Sequence, residues 1–241
     1  MVSLVGVQAR LLEWFAANGR DLPWRRTRDP YAILVSEVML QQTQAARVVP
    51  RYLAWLERWP TVAALARAST ADVLREWQGL GYNRRALNLQ RAAREVAANG
   101  WPEDLTRLPG VGPYTAAAVA CFAFGRPVLP VDVNVQRVLE RTGASFDHSC
   151  AQALMDLGAT VCIARIPRCG ECPLTASCPS RGRTFKPVRK QSPFEGSFRQ
   201  RRAEALRALL DDADPEDEEA VAALAQDGLV RLENGVVSLP D

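Results

Sequence analysis

The chain has 241 residues, enough for one large domain or two smaller ones, and its 48% hydrophobic and 24% charged content is that of an ordinary soluble globular protein. No apolar run reaches the roughly 18 residues of a membrane span, and the start MVSLVGVQARLLEW has neither a basic segment nor a cleavage site, so a cytoplasmic location without a membrane partner is expected. The net charge of +3 hides a division: residues 181–202 hold eight cationic side chains against Glu195, and residues 203–241 hold eleven acids against Arg207 and Arg231. A body that is basic through residue 202 suits a polyanionic partner; a solvated linker beside an acidic tail is the plainer reading of the same charges.

In chain order, residues 4–18 read as a helix ended by Asn18-Gly19, and Arg20 to Arg26 form a loop rich in basic and aromatic residues. Pro30 opens a mostly apolar helix interrupted by Glu37, which lies four residues from Gln41 and so shares its face. Val48 to Trp59 is predicted as a helix stopped by Pro60, Thr61 caps a short helix through Leu65, and Ser69 or Thr70 caps the next, to about Trp77. Gly79 to Asn83 is a sharp loop, followed by a basic amphipathic helix from Arg84 to Ala98 whose charges read as a solvated face.

Leu108-Pro109-Gly110-Val111-Gly112 is a Pro/Gly hairpin leading into the apolar run Ala116 to Phe124. A glycine turn at a helix start exposes backbone N–H groups that can receive a phosphate. Asp132 stands at the start of an amphipathic segment, Val133 to Leu139, where an N-cap is the simplest role for it. Cys150 to Cys162 reads as a helix. Residues 201–212 and 216–227 read as two short helices, and the strands 229–232 and 236–239 flank Asn234-Gly235, a strong hairpin signal. No strand pattern precedes that tail, so the body is expected to be all-α.

Cys162, Cys169, Cys172 and Cys178 are spaced C-x6-C-x2-C-x5-C. In a chain of cytosolic type such a group points to metal rather than to disulfides. Four thiolates hold either a tetrahedral zinc or an iron–sulfur cluster, and the spacing leaves both open. Cys121 and Cys150 read as small buried apolar residues.

The segments Leu22-Pro23-Trp24-Arg25, Ser36 to Thr43 (SEVMLQQT), Gly79-Leu80-Gly81-Tyr82, Leu108 to Ala116 (LPGVGPYTA), Asp132-Val133-Asn134-Val135 and Leu157 to Cys162 (LGATVC) with the three later cysteines together resemble the helix-hairpin-helix DNA glycosylases, most of all the MutY type that act on adenine. The resemblance covers residues 20 to 178 in order. It implies a two-domain all-α fold, with a helical domain at 20–127 and a cluster domain built from 1–19 and 128–180 that holds a [4Fe–4S] cluster on the four cysteines; composition and the helix–helix–hairpin pattern beyond it add a basic linker at 181–200 and a small winged-helix-like tail at 201–241. Glu37 and Asp132 are expected to face each other across a cleft. A monomer acting on double-stranded DNA with a mispaired base is implied.

Cleavage of a purine N-glycosidic bond needs a proton on the leaving base and negative charge beside the sugar as it becomes cationic. A carboxyl in an apolar helix is raised in pKa by desolvation, which suits Glu37 as the acid. The resemblance implies that it protonates adenine at N7, that Asp132 stabilises the sugar cation and assists the nucleophile, and that Asn134 orients Asp132. Tyr114 stands where the related lyases carry a Schiff-base lysine, so strand cleavage is not expected, and its hydroxyl would join the catalytic hydrogen bonds. Gln42, Thr43 and Tyr82 match positions that enter the duplex, Trp24 and Arg25 match the base pocket, and Gly110, Val111 and Gly112 match the backbone grip.

The usual MutY type carries a Nudix-like C-terminal domain with a Phe-Ser-His loop that reads 8-oxoguanine; here the tail is short and the sole histidine, His148, precedes the cluster, so 8-oxoguanine would have to be read by the catalytic part. Asn83 and Val133 stand where tyrosine and glycine are common. The competing readings are a thymine or uracil glycosylase acting opposite guanine, an iron–sulfur DNA-binding protein without catalysis, and a zinc module. Gln41-Gln42-Thr43 and Tyr82 favour adenine over the first, and the two carboxylates disfavour the second.

Overall fold

A computed structural model describes residues 4–185, 193–233 and 235–240. Lys186, Arg189 and Lys190 of the basic linker, and Asn234 of the hairpin turn, lie outside the described residues. The body is helical: α1 (Leu4–Asn18), α2 (Pro30–Leu40), α3 (Ala45–Arg58), α4 (Val62–Arg67), α5 (Thr70–Trp77), α6 (Arg84–Asn99), α7 (Pro113–Phe122), α8 (Val133–Thr142) and α9 (Ala151–Asp156). A tail follows, with α10 (Phe198–Leu210), α11 (Glu218–Gln226) and an antiparallel pair, β1 (Arg231–Glu233) and β2 (Val236–Ser238). Among the described residues no helix is long and apolar enough to cross a membrane.

Most helix ends are set by local chemistry. The Thr61 hydroxyl accepts from Ala64 N at 3.2 Å and the Ser69 hydroxyl from Asp72 N at 3.1 Å, each satisfying an amide that has no partner within its helix. Gly143 ends α8 in the left-handed conformation that only glycine adopts without strain.

Several helices depart from their predicted bounds; α10, for one, begins at Phe198 rather than at residue 201. α3 begins at Ala45 rather than Val48, with Pro50 as its sixth residue; the proline has no N–H, so the helix forgoes the hydrogen bond to the Ala46 carbonyl. The helix predicted from Cys150 to Cys162 stops at Asp156 and gives way to a π-helical turn, Leu157–Val161. The cause is tertiary: a Cβ on Gly158 would stand 2.8 Å from the Asn134 carbonyl oxygen, so this turn presses its backbone directly on α8.

The chain divides into two compact units, residues 1–33 with 112–190 and residues 34–111 with 191–241. The first has a core of Val7, Leu11, Val135, Val138, Leu154 and Leu157, to which the buried Cys150 belongs; Cys121 is half-buried. Burial raises the thiol pKa of both cysteines. The second unit is centred on three tryptophans: the Trp55 ring meets Trp59 edge-on at 4.7 Å and Trp77 at 5.5 Å. The tail belongs to this unit, where Arg75 Nε donates to the Leu210 carbonyl at 3.2 Å and Arg84 pairs with Asp227 at 3.3 Å.

Candidate functional site

Asp132 caps α8. One carboxylate oxygen accepts from Asn134 N at 2.9 Å and Val135 N at 2.7 Å, and the other from Asn134 Nδ2 at 2.9 Å. The Asn134 amide is itself fixed at its oxygen, which accepts from Arg137 Nη2 at 2.7 Å. Arg137 goes further: Nη2 also donates to the Gly158 carbonyl at 2.7 Å, and Nε donates to the carbonyl of Cys162 at 2.8 Å. A continuous chain of hydrogen bonds therefore runs from the first cysteine of the cluster motif through Arg137 and Asn134 to Asp132. The π-helical turn is what delivers the Gly158 carbonyl to it, a use typical of such bulges.

All four motif cysteines line one cavity, together with Val138, Arg141, Leu157 and Val161. Arg141 sits against the first of them, with Nη1 3.5 Å from Cys162 Sγ, and its guanidinium bonds the carbonyls of Ile163 and Ala164 at 2.8 and 2.7 Å while stacking on the Phe185 ring at 3.6 Å. The Gly182 amide donates to Cys169 Sγ at 3.4 Å. Burial, with the neighbouring thiols Cys162, Cys178 and Cys169, pushes the Cys172 thiol up to about 11. A thiol so raised keeps its proton near neutrality unless a cationic metal displaces it. Four thiols around one cavity are the donor set of an iron–sulfur cluster or of a tetrahedral zinc.

Glu37 lies one turn before the end of α2 and is 5% exposed, beside the fully buried Ser36. Gln42 and Tyr82 both have left-handed backbones, with φ of 56° and 48°, and both side chains are exposed, Tyr82 at 44%. Thr43 is half-buried, its hydroxyl 3.2 Å from Arg85 Nη2, so its side chain is engaged within the protein.

The glycine hairpin has a physical cause at Gly110. Its φ is 74°, and a Cβ there would lie 2.7 Å from the Asn88 side chain, so both conformation and space exclude other residues. Gly110 and Gly112 are exposed, Val111 is buried, and Gly112 leads into α7 with Pro113 at its first turn. Tyr114 follows, half-buried.

Trp24 is buried, and Arg25 is held inside the protein. Its guanidinium grips Asp156 with Nη1 at 2.9 Å and Nη2 at 2.7 Å, and Nη1 donates to the Arg20 carbonyl at 2.8 Å. The Arg20 side chain binds the same carboxylate, with Nη2 at 2.6 Å from it, and its backbone amide adds a contact at 2.8 Å. Burial alone would raise the Asp156 carboxyl; the hydrogen bonds from Arg25 and Arg20 outweigh it and hold the group below the usual carboxylate range.

Four residues of this arrangement, Arg137, Arg141, Asp156 and Arg85, have no such role in the sequence reading. Arg85 departs from the solvated face expected of α6, being 9% exposed, and burial draws its guanidinium down to about 10. A signal for it existed, because Arg85 falls four residues before Leu89 on the face that buries Ala92, Ala93 and Val96.

A family model for the HhH-GPD superfamily of base excision DNA repair proteins matches residues 35–157. The chain is 45% identical over 237 residues to the adenine DNA glycosylase of Mycobacterium tuberculosis strain H37Rv, covering 83% of this chain and 77% of that protein. It is 44% identical to the adenine DNA glycosylase of Mycolicibacterium smegmatis, covering 85% and 80%. Among solved structures it is similar to a thermostable thymine-DNA glycosylase, with a TM-score of 0.66 and 28% identity over 73% of this chain and 95% of that one.

Proposed function

The chain belongs to the MutY-type adenine DNA glycosylases of the HhH-GPD superfamily, and on that premise we propose that it hydrolyses the N-glycosidic bond of adenine mispaired with 8-oxoguanine or guanine in duplex DNA, without strand cleavage. The observation that carries the reading is the fixed carboxylate of Asp132. Three N–H donors hold it in one orientation, and lone pairs remain to face a developing cation. As the bond from the sugar C1′ to the base breaks, its electron pair leaves with adenine. A proton from Glu37 on adenine N7 makes that departure easier, and Asp132 stabilises the positive charge left on the sugar. Water then adds to C1′ and gives up a proton, yielding free adenine and an abasic site. Tyr114 has no amine with which to form a Schiff base, which is consistent with chemistry that stops there.

Glu37, a buried carboxyl one turn before the end of α2, is the group read as the proton donor. Glu37→Gln is expected to slow single-turnover adenine release by about a hundredfold, the ordinary scale of one general acid; a normal rate would remove Glu37 from that role. The substrate class is tested by single-turnover excision on duplexes with A:8-oxoG, A:G, A:C, T:G and U:G pairs. Release of adenine supports the reading, and release of thymine or uracil but not adenine overturns it.

Cys162, Cys169, Cys172 and Cys178 are the residues to hold a [4Fe–4S] cluster, which would brace this part of the chain and supply a one-electron redox centre. Cys172→Ser is expected to lower bound iron and acid-labile sulfide from about four each per chain and to remove the broad visible absorbance of the cluster. Stoichiometric zinc in the purified protein, with no such absorbance, would replace the cluster by a structural ion.

A further inference from the structure

Gln42 and Tyr82 are two of the three non-glycine residues with positive φ among the described residues. Neither has the short polar side chain that makes this conformation easy for asparagine or aspartate. Such a backbone persists where its surroundings fix it, and here one side chain does so from the start of α6. The Arg85 guanidinium donates through Nη1 to the carbonyls of Val38 at 2.8 Å, Met39 at 3.0 Å and Gln41 at 2.7 Å. Through Nη2 it donates to Thr43 Oγ1 at 3.2 Å and to the carbonyls of Leu80 at 3.0 Å and Gly81 at 2.9 Å.

The first set are carbonyls at the end of α2 and in its following turn, groups a helix cannot satisfy itself and which favour a cation. Of the second set, the Leu80 and Gly81 carbonyls belong to the loop that ends in Tyr82, and the Thr43 hydroxyl to the turn after α2. The Trp77 and Tyr82 rings lie 5.2 and 5.7 Å from the guanidinium carbon, within cation–π range, and Trp77 Nε1 donates to the Gly81 carbonyl at 3.0 Å. One planar group thus spans two exposed turns, Nη1 on the first and Nη2 on both.

We propose that Arg85 is the positioning residue of the DNA-entering surface, tying the turn that carries Gln42 to the loop that carries Tyr82, so that both side chains reach the duplex as one preorganised unit. The proposal rests on the reading of Gln42 and Tyr82 as duplex-entering residues. Arg85 itself, beneath the turns, touches no DNA. It therefore acts on mismatch recognition and leaves the sequence-independent hold on paired DNA, which belongs to phosphate contacts, unchanged. A lysine cannot replace it, because one ammonium with three donors does not span both turns.

The test uses the full chain and a duplex carrying a tetrahydrofuran abasic analogue opposite 8-oxoguanine, with 2-aminopurine beside it as a stacking reporter, against the fully paired duplex. Arg85→Lys, Gln42→Ala with Tyr82→Ala, and the triple variant are compared after circular dichroism has verified the helical content of each. Arg85→Lys is expected to lose about tenfold in preference for the lesion duplex and most of the 2-aminopurine signal, with affinity for paired DNA within about twofold. In the background lacking the Gln42 and Tyr82 side chains the same change is expected to do nothing more. An unchanged preference in Arg85→Lys, when the double variant has lost it, overturns the role of Arg85 and leaves the duplex-entering reading intact. An unchanged preference in the double variant overturns that reading and the inference with it, and a further additive loss in the triple variant shows that Arg85 acts elsewhere. Should Arg85→Lys fail to fold, Thr43→Val removes one contact of the tie and is expected to lose preference by about threefold; no change there overturns the proposal.

Discussion

Asp132→Asn is expected to reduce single-turnover adenine release by about a thousandfold or more while lesion-duplex binding and the fold persist, a loss of about 4 kcal/mol of transition-state stabilisation. The substitution separates the N-cap role of this residue from the proposed catalytic one. Asparagine is as good an N-cap as aspartate, so one oxygen still accepts from the amides of Asn134 and Val135 and α8 keeps its start. What disappears is the negative charge. The second carboxylate oxygen, now an amide nitrogen or its flipped equivalent, faces Asn134 Nδ2, and that amide cannot turn freely because Arg137 holds its oxygen at 2.7 Å. A variant that binds and folds like the parent yet does not release base places the carboxylate charge in the chemical step. Undiminished turnover would sink the mechanism, and loss of DNA binding together with turnover would assign Asp132 to the structure of α8 alone.

The sequence and the structure agree where an element is decided within a few residues. Thr61 and Ser69 accept from amides three residues on, so those helix starts can be read from adjacent letters. The hairpin at Leu108–Gly112 is legible for the same reason, although the contact that makes Gly110 obligatory, against Asn88 in α6, is not local. The reading fails where a distant group decides. Nothing in the run Ala151 to Val161 announces a change to π-helical geometry, because the close approach of Gly158 to Asn134 sets it. Arg137 looks like any exposed helix cation until its acceptors are known to come from α8, the π-helical turn and the cluster motif.

Glu37 and Asp156 show the same limit from the other side. Both are carboxylates in apolar helical runs, and the rule that singled out Glu37 applies equally to Asp156. What distinguishes Asp156 is two arginines more than 130 positions earlier in the chain, which no local pattern reveals.

Those arginines make Asp156→Ala the substitution with the largest expected effect on stability, about 3 kcal/mol. The carboxylate side chain is 1% exposed and is shared by Arg25, 12% exposed, and Arg20, 35% exposed. Removing it strands the Arg25 charge away from water, whereas Arg20 can hydrate, so the loss falls at the lower end of the range for a broken buried ion pair. For a chain of this length that is a fall of roughly 10 °C in thermal midpoint. The pH dependence has a definite sign. The Asp156 carboxyl is lowered in the folded protein, so the unfolded chain binds its proton first on acidification. Its contribution is complete above the unfolded carboxyl value of about 3.9 and is lost as pH falls through the lower folded value. Thermal midpoints of parent and Asp156→Ala measured at successive pH should therefore differ fully near neutrality and converge in acid. A constant gap down to the acid limit would mean that the charge of Asp156 contributes nothing and that only its packing does, and a gap near zero at neutral pH would mean that Arg20 and Arg25 need no partner there.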